Sequence, residues 1–208
     1  MASTASPYGF KAVNELGGLP YAGSTRSIPI ASGYATNIYN GSLVYVQSTG
    51  YLAIATATGA DATTNGFPVG TANTGCLGVF VGCSYTNPST KQKVFAQYWP
   101  TGTVASDAVA YVVDDDRAVF QVQADGSLTI AALGSNVYLS AVQSTSTGST
   151  TSGNSNTSVS ATAVTTTAAF RVVGFVDMTG FSTVGDAYTD ILVKFNPGYH
   201  SYSNAVGL

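Results

Sequence analysis

Arg26-Ser27-Ile28-Pro29-Ile30-Ala31-Ser32-Gly33-Tyr34-Ala35-Thr36-Asn37-Ile38-Tyr39-Asn40-Gly41-Ser42-Leu43-Val44-Tyr45-Val46 decides how this chain is read. It holds a short apolar run, a turn signal and a strand. Asn40-Gly41 is a dipeptide that takes positive φ at both centres of a tight turn, and it leads into Leu43 to Val46, whose β-branched and aromatic side chains suit a pleated surface. The chain therefore commits early to β structure. Working outward, Ser48-Thr49-Gly50 turns into Tyr51 to Ala55, which completes a hairpin. Residues 56 to 75 read as a loop anchored by Phe67-Pro68-Val69-Gly70. Leu77 to Tyr85 and Lys93 to Trp99 follow as strands around an Asn87-Pro88 turn. Trp99 stands before Pro100 and is expected in the core.

The same grammar continues. Ala108 to Val113 is nearly all apolar, and Ala118 to Gln123 sets Phe120 and Val122 against Val119, Gln121 and Gln123. Between them, Asp114-Asp115-Asp116-Arg117 reads as a solvated hairpin turn. It lacks the spaced ligands and distal Glu of a calcium loop. Asp125-Gly126 predicts a second tight hairpin into Leu128-Thr129-Ile130. Residues 143 to 167 are a Ser/Thr-rich insert, read as a flexible loop or two weak exposed strands. Ala169 to Val176 and Ala187 to Phe195 restore strong strand signals. No segment carries a 3.6-residue stripe. The expected fold is all-β, an antiparallel barrel or sandwich, tulip-like or jelly-roll-like, with little helix. Residues 1 to 25, rich in Gly and Pro, are expected as an extended N-terminal arm, 26 to 197 as one β domain and 198 to 208 as a tail. The arm's Tyr8, Phe10 and Tyr21 need burial, on a partner or on their own domain.

Composition narrows the function. A chain of 208 residues can bury a true core. Only 8% of its residues are charged, where roughly 25% is usual. Ser, Thr, Gly, Asn and Tyr take their place, and such a neutral, hydroxyl-rich surface suits lasting contact with neighbours. The net charge of -3 and the scattered Lys and Arg argue against nucleic acid. The start, Met1-Ala2-Ser3-Thr4-Ala5-Ser6-Pro7, lacks the features of a secretory signal, and no run approaches the roughly 18 apolar residues of a membrane span. Synthesis in a cytoplasm, with no membrane partner, is the expectation.

Few residues in the chain are able to supply chemistry. In one extended strand Cys76 and Cys83 stand roughly 23 Å apart on opposite faces, beyond the reach of a disulfide or shared metal, so they are expected as buried free thiols. His200, the sole histidine, sits between tyrosines and is expected at the surface or an interface. Asp177, Asp186 and Asp190 fall in or beside one loop, with nothing to raise the pKa of one of them as glycoside hydrolysis requires. No enzyme activity, cofactor or metal is expected.

Ser27 to Val44 resembles a stretch found in small virion proteins of tailed bacteriophages, particularly marine and cyanobacterial podoviruses. Ala110-Tyr111-Val112-Val113-Asp114-Asp115 with Phe120 to Ser127, and Phe170 to Asp177 with Tyr188 to Asn196, resemble the same family, so the likeness spans most of Tyr8 to Asn196. The resemblance implies a capsid decoration, or cement, protein on the outside of the mature head. It would be a homotrimer whose partner is the phage major capsid protein. A head or tail fibre and a carbohydrate-binding β module are the alternatives. A cement protein is expected to spread its contact residues along arm and protomer contacts, with Tyr8, Phe10, Arg26, Tyr34, Tyr39, Tyr199 and Tyr202 as candidates.

Overall fold

The computed structural model describes residues 3–55, 75–144, 146–178 and 182–203. The expected 56 to 75 loop, with its anchor, and residues 204–208 of the tail lie largely or wholly outside these. Eleven strands run through the described residues: β1 Lys11–Glu15, β2 Arg26–Pro29, β3 Leu43–Val46, β4 Leu52–Ile54, β5 Gly78–Thr86, β6 Lys93–Ala96, β7 Val109–Val113, β8 Ala118–Gln123, β9 Asn136–Val137, β10 Phe170–Phe175 and β11 Asp190–Phe195. Helix among them is limited to two 3₁₀ turns, Ile130–Ala132 and Ser201–Ser203.

The strands form two antiparallel sheets packed as a β-sandwich. Sheet I has the order β1-β8-β11-β10-β9; sheet II has β2-β7-β5-β3-β4, with β6 also paired to β5. Phe120, Val122, Phe170, Val172, Ile191 and Val193 from sheet I meet Leu43, Val79 and Val113 from sheet II in the inter-sheet core. A second core lies on the far face of sheet II, where Val44, Phe80, Cys83, Ala110 and Val112 are covered by Ile30, Ile38, Trp99 and Ala105. Trp99 is fully buried, and its segment pairs with Ile38. β7 reads as an unbroken apolar run and serves both cores, with Ala110 and Val112 in the second and Val113 in the inter-sheet core. The two cysteines follow from the same layout: Cys76 enters the inter-sheet core and Cys83 the second core, both free.

The expected hairpins β3–β4 and β5–β6 form, with Val46 opposite Leu52 and Thr86 opposite Lys93. Other local readings are corrected. Asp114 to Arg117 is not a hairpin turn, because β7 joins sheet II while β8 joins sheet I. It is a corner between sheets. Asp125-Gly126 does not return a paired strand either: both neighbours of β8 are already taken, by β1 and β11, and the chain instead enters the 3₁₀ turn. At Asn40-Gly41 only Gly41 has positive φ, and the dipeptide is a crossing point. Gly41 donates to the Phe80 carbonyl and accepts from Phe10 N, while Asn40 bonds backbone to backbone with Gly153 and Ser155. Gly9, at φ +78°, lies so close that a Cβ there would stand 2.7 Å from the Gly41 oxygen.

The extended N-terminal arm is not shown: its middle, around Phe10 and β1, is seated on the sandwich. Lys11–Glu15 pair with β8 as the edge of sheet I, and Phe10 is 1% exposed in the inter-sheet core. For Phe10 the choice between partner and own domain falls to the domain. The Ser/Thr-rich insert is likewise neither a loose loop nor two exposed strands. Gln143, Ser155, Thr157 and Val159 are buried, and Val159 bridges both Ala124 and Leu139. The Gln143 amide imitates a neighbouring strand: Oε1 accepts from Leu43 N, and Nε2 donates to the Leu43 and Ala55 carbonyls. Ser155 and Thr157 hydroxyls, 2.7 Å apart, satisfy one another.

Candidate functional site

The seven residues expected at an interface separate into inside and outside. Phe10, Tyr39 and Tyr199 are buried within the chain, which corrects their assignment as surface offered to a partner. Phe10 stacks on Phe170 at 4.9 Å. Tyr39 accepts a hydrogen bond from Asn37 Nδ2 and stacks on Tyr98 at 5.7 Å, while Gly148 of the insert lies against its ring. Tyr199 lies at the rim of the inter-sheet core.

Tyr8 and Tyr34 are half-buried. Tyr34 Oη accepts from Ile54 N, and its carbonyl accepts from Trp99 Nε1, so it braces the second core. Tyr8 donates to Asp190 at 3.0 Å, with the Lys11 ammonium 4.4 Å from its ring centre. Burial first, and then the Asp190 charge, push the Tyr8 phenol well above its ordinary range. Burial also raises the Asp190 carboxyl, against the opposing pull of the Tyr8 hydrogen bond and Lys11. That overturns the expectation that none of the three aspartates sits where its pKa would rise. Its neighbours make Asp190 a clamp on the N-terminal segment, which is further held by Gln123 side-chain bonds to Thr4 and Ser6.

Arg26 and Tyr202 are exposed and meet each other. The Arg26 guanidinium lies 5.2 Å from the Tyr202 ring centre and 2.6 Å from Asp114, which also accepts the Tyr202 hydroxyl at 3.1 Å. The corner between the sheets, the start of β2 and the C-terminal tail thus join in one polar cluster. Behind it lies His200, 1% exposed, which corrects the surface half of its expected surface-or-interface placement. Tyr199 to Ser201 run beside Cys76: Cys76 N donates to Tyr199 O and Ser201 N to Cys76 O.

One prominent surface residue was missed. Phe95 is 75% exposed on β6, opposite Ser84, which in turn is opposite Val109 on β7. Val109 and Tyr111 share the face of β7 that carries Val113 into the core, and both are only partly covered. The signal was present in Lys93-Val94-Phe95-Ala96, where alternation puts Phe95 on the face of Lys93. A cavity of about 310 Å³ opens at the side of the sandwich between β1 and sheet II, lined by Phe10, Ala12, Tyr21, Asn40, Val81 and Val113 among others.

Burial pushes both thiols up to about 12, which keeps them protonated and unreactive near neutral pH. Among the described residues, no group of three or more His, Cys, Asp or Glu is placed to hold a metal ion, and no helix is long and apolar enough to cross a membrane. Comparison of the chain with protein-family models, curated proteins and solved structures found no match.

Proposed function

We propose that this chain is a structural protein of a tailed-phage virion, which decorates the outer surface of the mature head and cements it. The observation that carries the reading is the surface chemistry: with 8% charged residues the molecule meets neighbours through hydroxyls, amides and aromatic rings, and little like-charge repulsion opposes a crowded lattice. The resemblance of Ser27 to Val44 and of the later strand blocks to small virion proteins supports it. Function on this reading is mechanical and needs no catalytic group.

The contact surface proposed for the shell comprises Arg26, Tyr202 and the exposed part of Tyr8, with Phe95 as an apolar anchor. Aromatic and Arg side chains are the types that dominate binding energy at interfaces. A trimer would grip several capsid subunits at once, and each later contact would be intramolecular. Selective binding to the expanded lattice would stabilise it by mass action. The test is to mix the purified protein with expanded, undecorated heads and with procapsids, and to pellet both. Co-sedimentation with expanded heads is expected, weakened by Phe95→Ser and Arg26→Ala. Failure to bind either shell overturns the reading, and retention on a polysaccharide column would favour a glycan-binding module.

A further inference from the structure

The feature that invites explanation is a titratable ring used as a buried plug. His200 stands between Phe195 and Tyr202, 5.3 and 5.5 Å from their ring centres, and it is the chain's sole histidine. Its Nδ1 accepts the backbone N–H of Tyr202 at 3.3 Å. That bond assigns the neutral tautomer, with the proton on Nε2. Nε2 makes no hydrogen bond among the described residues, although the Leu77 backbone lies near enough to favour a proton on the ring.

A second proton must go to Nδ1. There it would face the Tyr202 N–H, donor against donor, and would place a cation among the Phe195 and Tyr202 rings. The charged and titratable groups around the ring are Asp114, Asp115 and Asp116 on the inter-sheet corner, Tyr202 in the tail and Cys76 across the parallel bridge, with Arg26 one contact further out. The three carboxylates pull the proton on, but Asp114 is engaged by Arg26 and Tyr202. Burial, the largest influence, holds the imidazole below its ordinary pKa.

We propose that His200 makes the C-terminal tail an acid-opened latch: protonation of the ring ejects residues 199 to 203 from their seat against Gly75 to Leu77. Closed, the latch consists of the Cys76–Tyr199 and Ser201–Cys76 backbone bonds, the Ser201 hydroxyl on the Gly75 carbonyl and the Tyr202–Asp114 contact. Open, it leaves an imidazolium in water beside three carboxylates, an arrangement that charge favours. Because the closed state binds fewer protons than the open one, the closed state loses ground as pH falls below the ordinary histidine value of about 6.5.

The test is hydrogen exchange of the intact chain between pH 7.5 and 5, corrected for intrinsic rates, together with NMR titration of the single imidazole. Protection in peptides spanning 75–79 and 196–203 is expected to fall by up to about tenfold per pH unit below about 6.5, while β8 and β11 keep theirs. The imidazole midpoint is expected below 6.5, in step with that loss. His200→Phe keeps an aromatic plug that cannot be charged, and it is expected to stay closed across the range. Unchanged wild-type protection down to pH 5 overturns the latch, as does an equal loss in His200→Phe. Should that variant not fold, the wild-type titration decides alone: a ring that takes up its proton with the tail still protected refutes the proposal.

Discussion

The first and last described segments of the chain are seated in the same way and yet differ in kind. Each pushes a ring into the molecule. Phe10 packs on Phe170 and Phe120, His200 packs on Phe195, and Phe195 touches both Phe120 and Phe170, so the two plugs share one run of aromatic contacts. Outside the plugs, each end is tied by a tyrosine hydroxyl to a carboxylate: Tyr8 to Asp190, and Tyr202 to Asp114. The N-terminal plug is hydrocarbon and indifferent to pH; the C-terminal plug carries a nitrogen that can be charged. Similar packing therefore gives one permanent attachment and one conditional attachment.

Removing the hydrocarbon plug should have the largest effect. Phe10→Ala is expected to cost about 3–5 kcal/mol, read as a lower urea midpoint at unchanged slope. A loss of under about 1 kcal/mol would mean the N-terminal end is no better anchored than the tail. Tyr8→Phe comes next, since it leaves the buried Asp190 carboxyl without its phenolic donor, and about 1.5–3 kcal/mol is expected at neutral pH.

The pH dependence separates the ends by sign. The raised Asp190 pKa means the folded state holds its proton longer than the unfolded state, so this group's contribution declines as pH rises from about 4 toward the raised value. The lowered His200 pKa means the folded state binds fewer protons, so its contribution is lost as pH falls below about 6.5. Urea midpoints followed across pH 4 to 7.5 should show the second trend in wild type and not in His200→Phe. Tyr202→Phe is the mildest change: the ring is 52% exposed, and the hydroxyl's bond to Asp114 is worth about 0–1 kcal/mol. An effect as large as that of Tyr8→Phe would remove the distinction between the ends.

Much of the sandwich was legible in the sequence, and its failures have physical causes. Short runs of apolar and β-branched residues, continuous as in β7 or alternating as in β8, mark β3, β4, β5, β7, β8, β10 and β11, because burial of one or both faces writes such patterns directly. Turn chemistry at Asp114–Arg117 and Asp125-Gly126 marks places where the chain does bend. A turn residue specifies a local bend, not which neighbour accepts the next strand, and both supposed hairpins failed on that point. β1 was hidden because Lys11–Glu15 contributes little apolar surface of its own and is recruited by β8 as an edge. The Ser/Thr-rich insert looks solvent-facing by composition, yet paired hydroxyls such as Ser155 and Thr157 can be buried. For the candidate site, residue type picks out Arg26 and Tyr202, which the fold leaves exposed. It could not tell inward from outward aromatics: Tyr39 and Phe95 differ in which face of the chain points to cover, and Tyr39 is covered by an insert more than 100 residues away.

The two cores have one wall in common. β5 sends Val79 to the inter-sheet core and Phe80 and Cys83 to the second, so neither core can be opened without stripping a face from the strand that supports the other. The molecule should therefore melt as one cooperative unit rather than as two halves. Its cysteines provide the readout, one thiol in each core: under native conditions Cys76 and Cys83 should become reactive to a thiol probe with the same opening free energy once the tail over Cys76 is held closed.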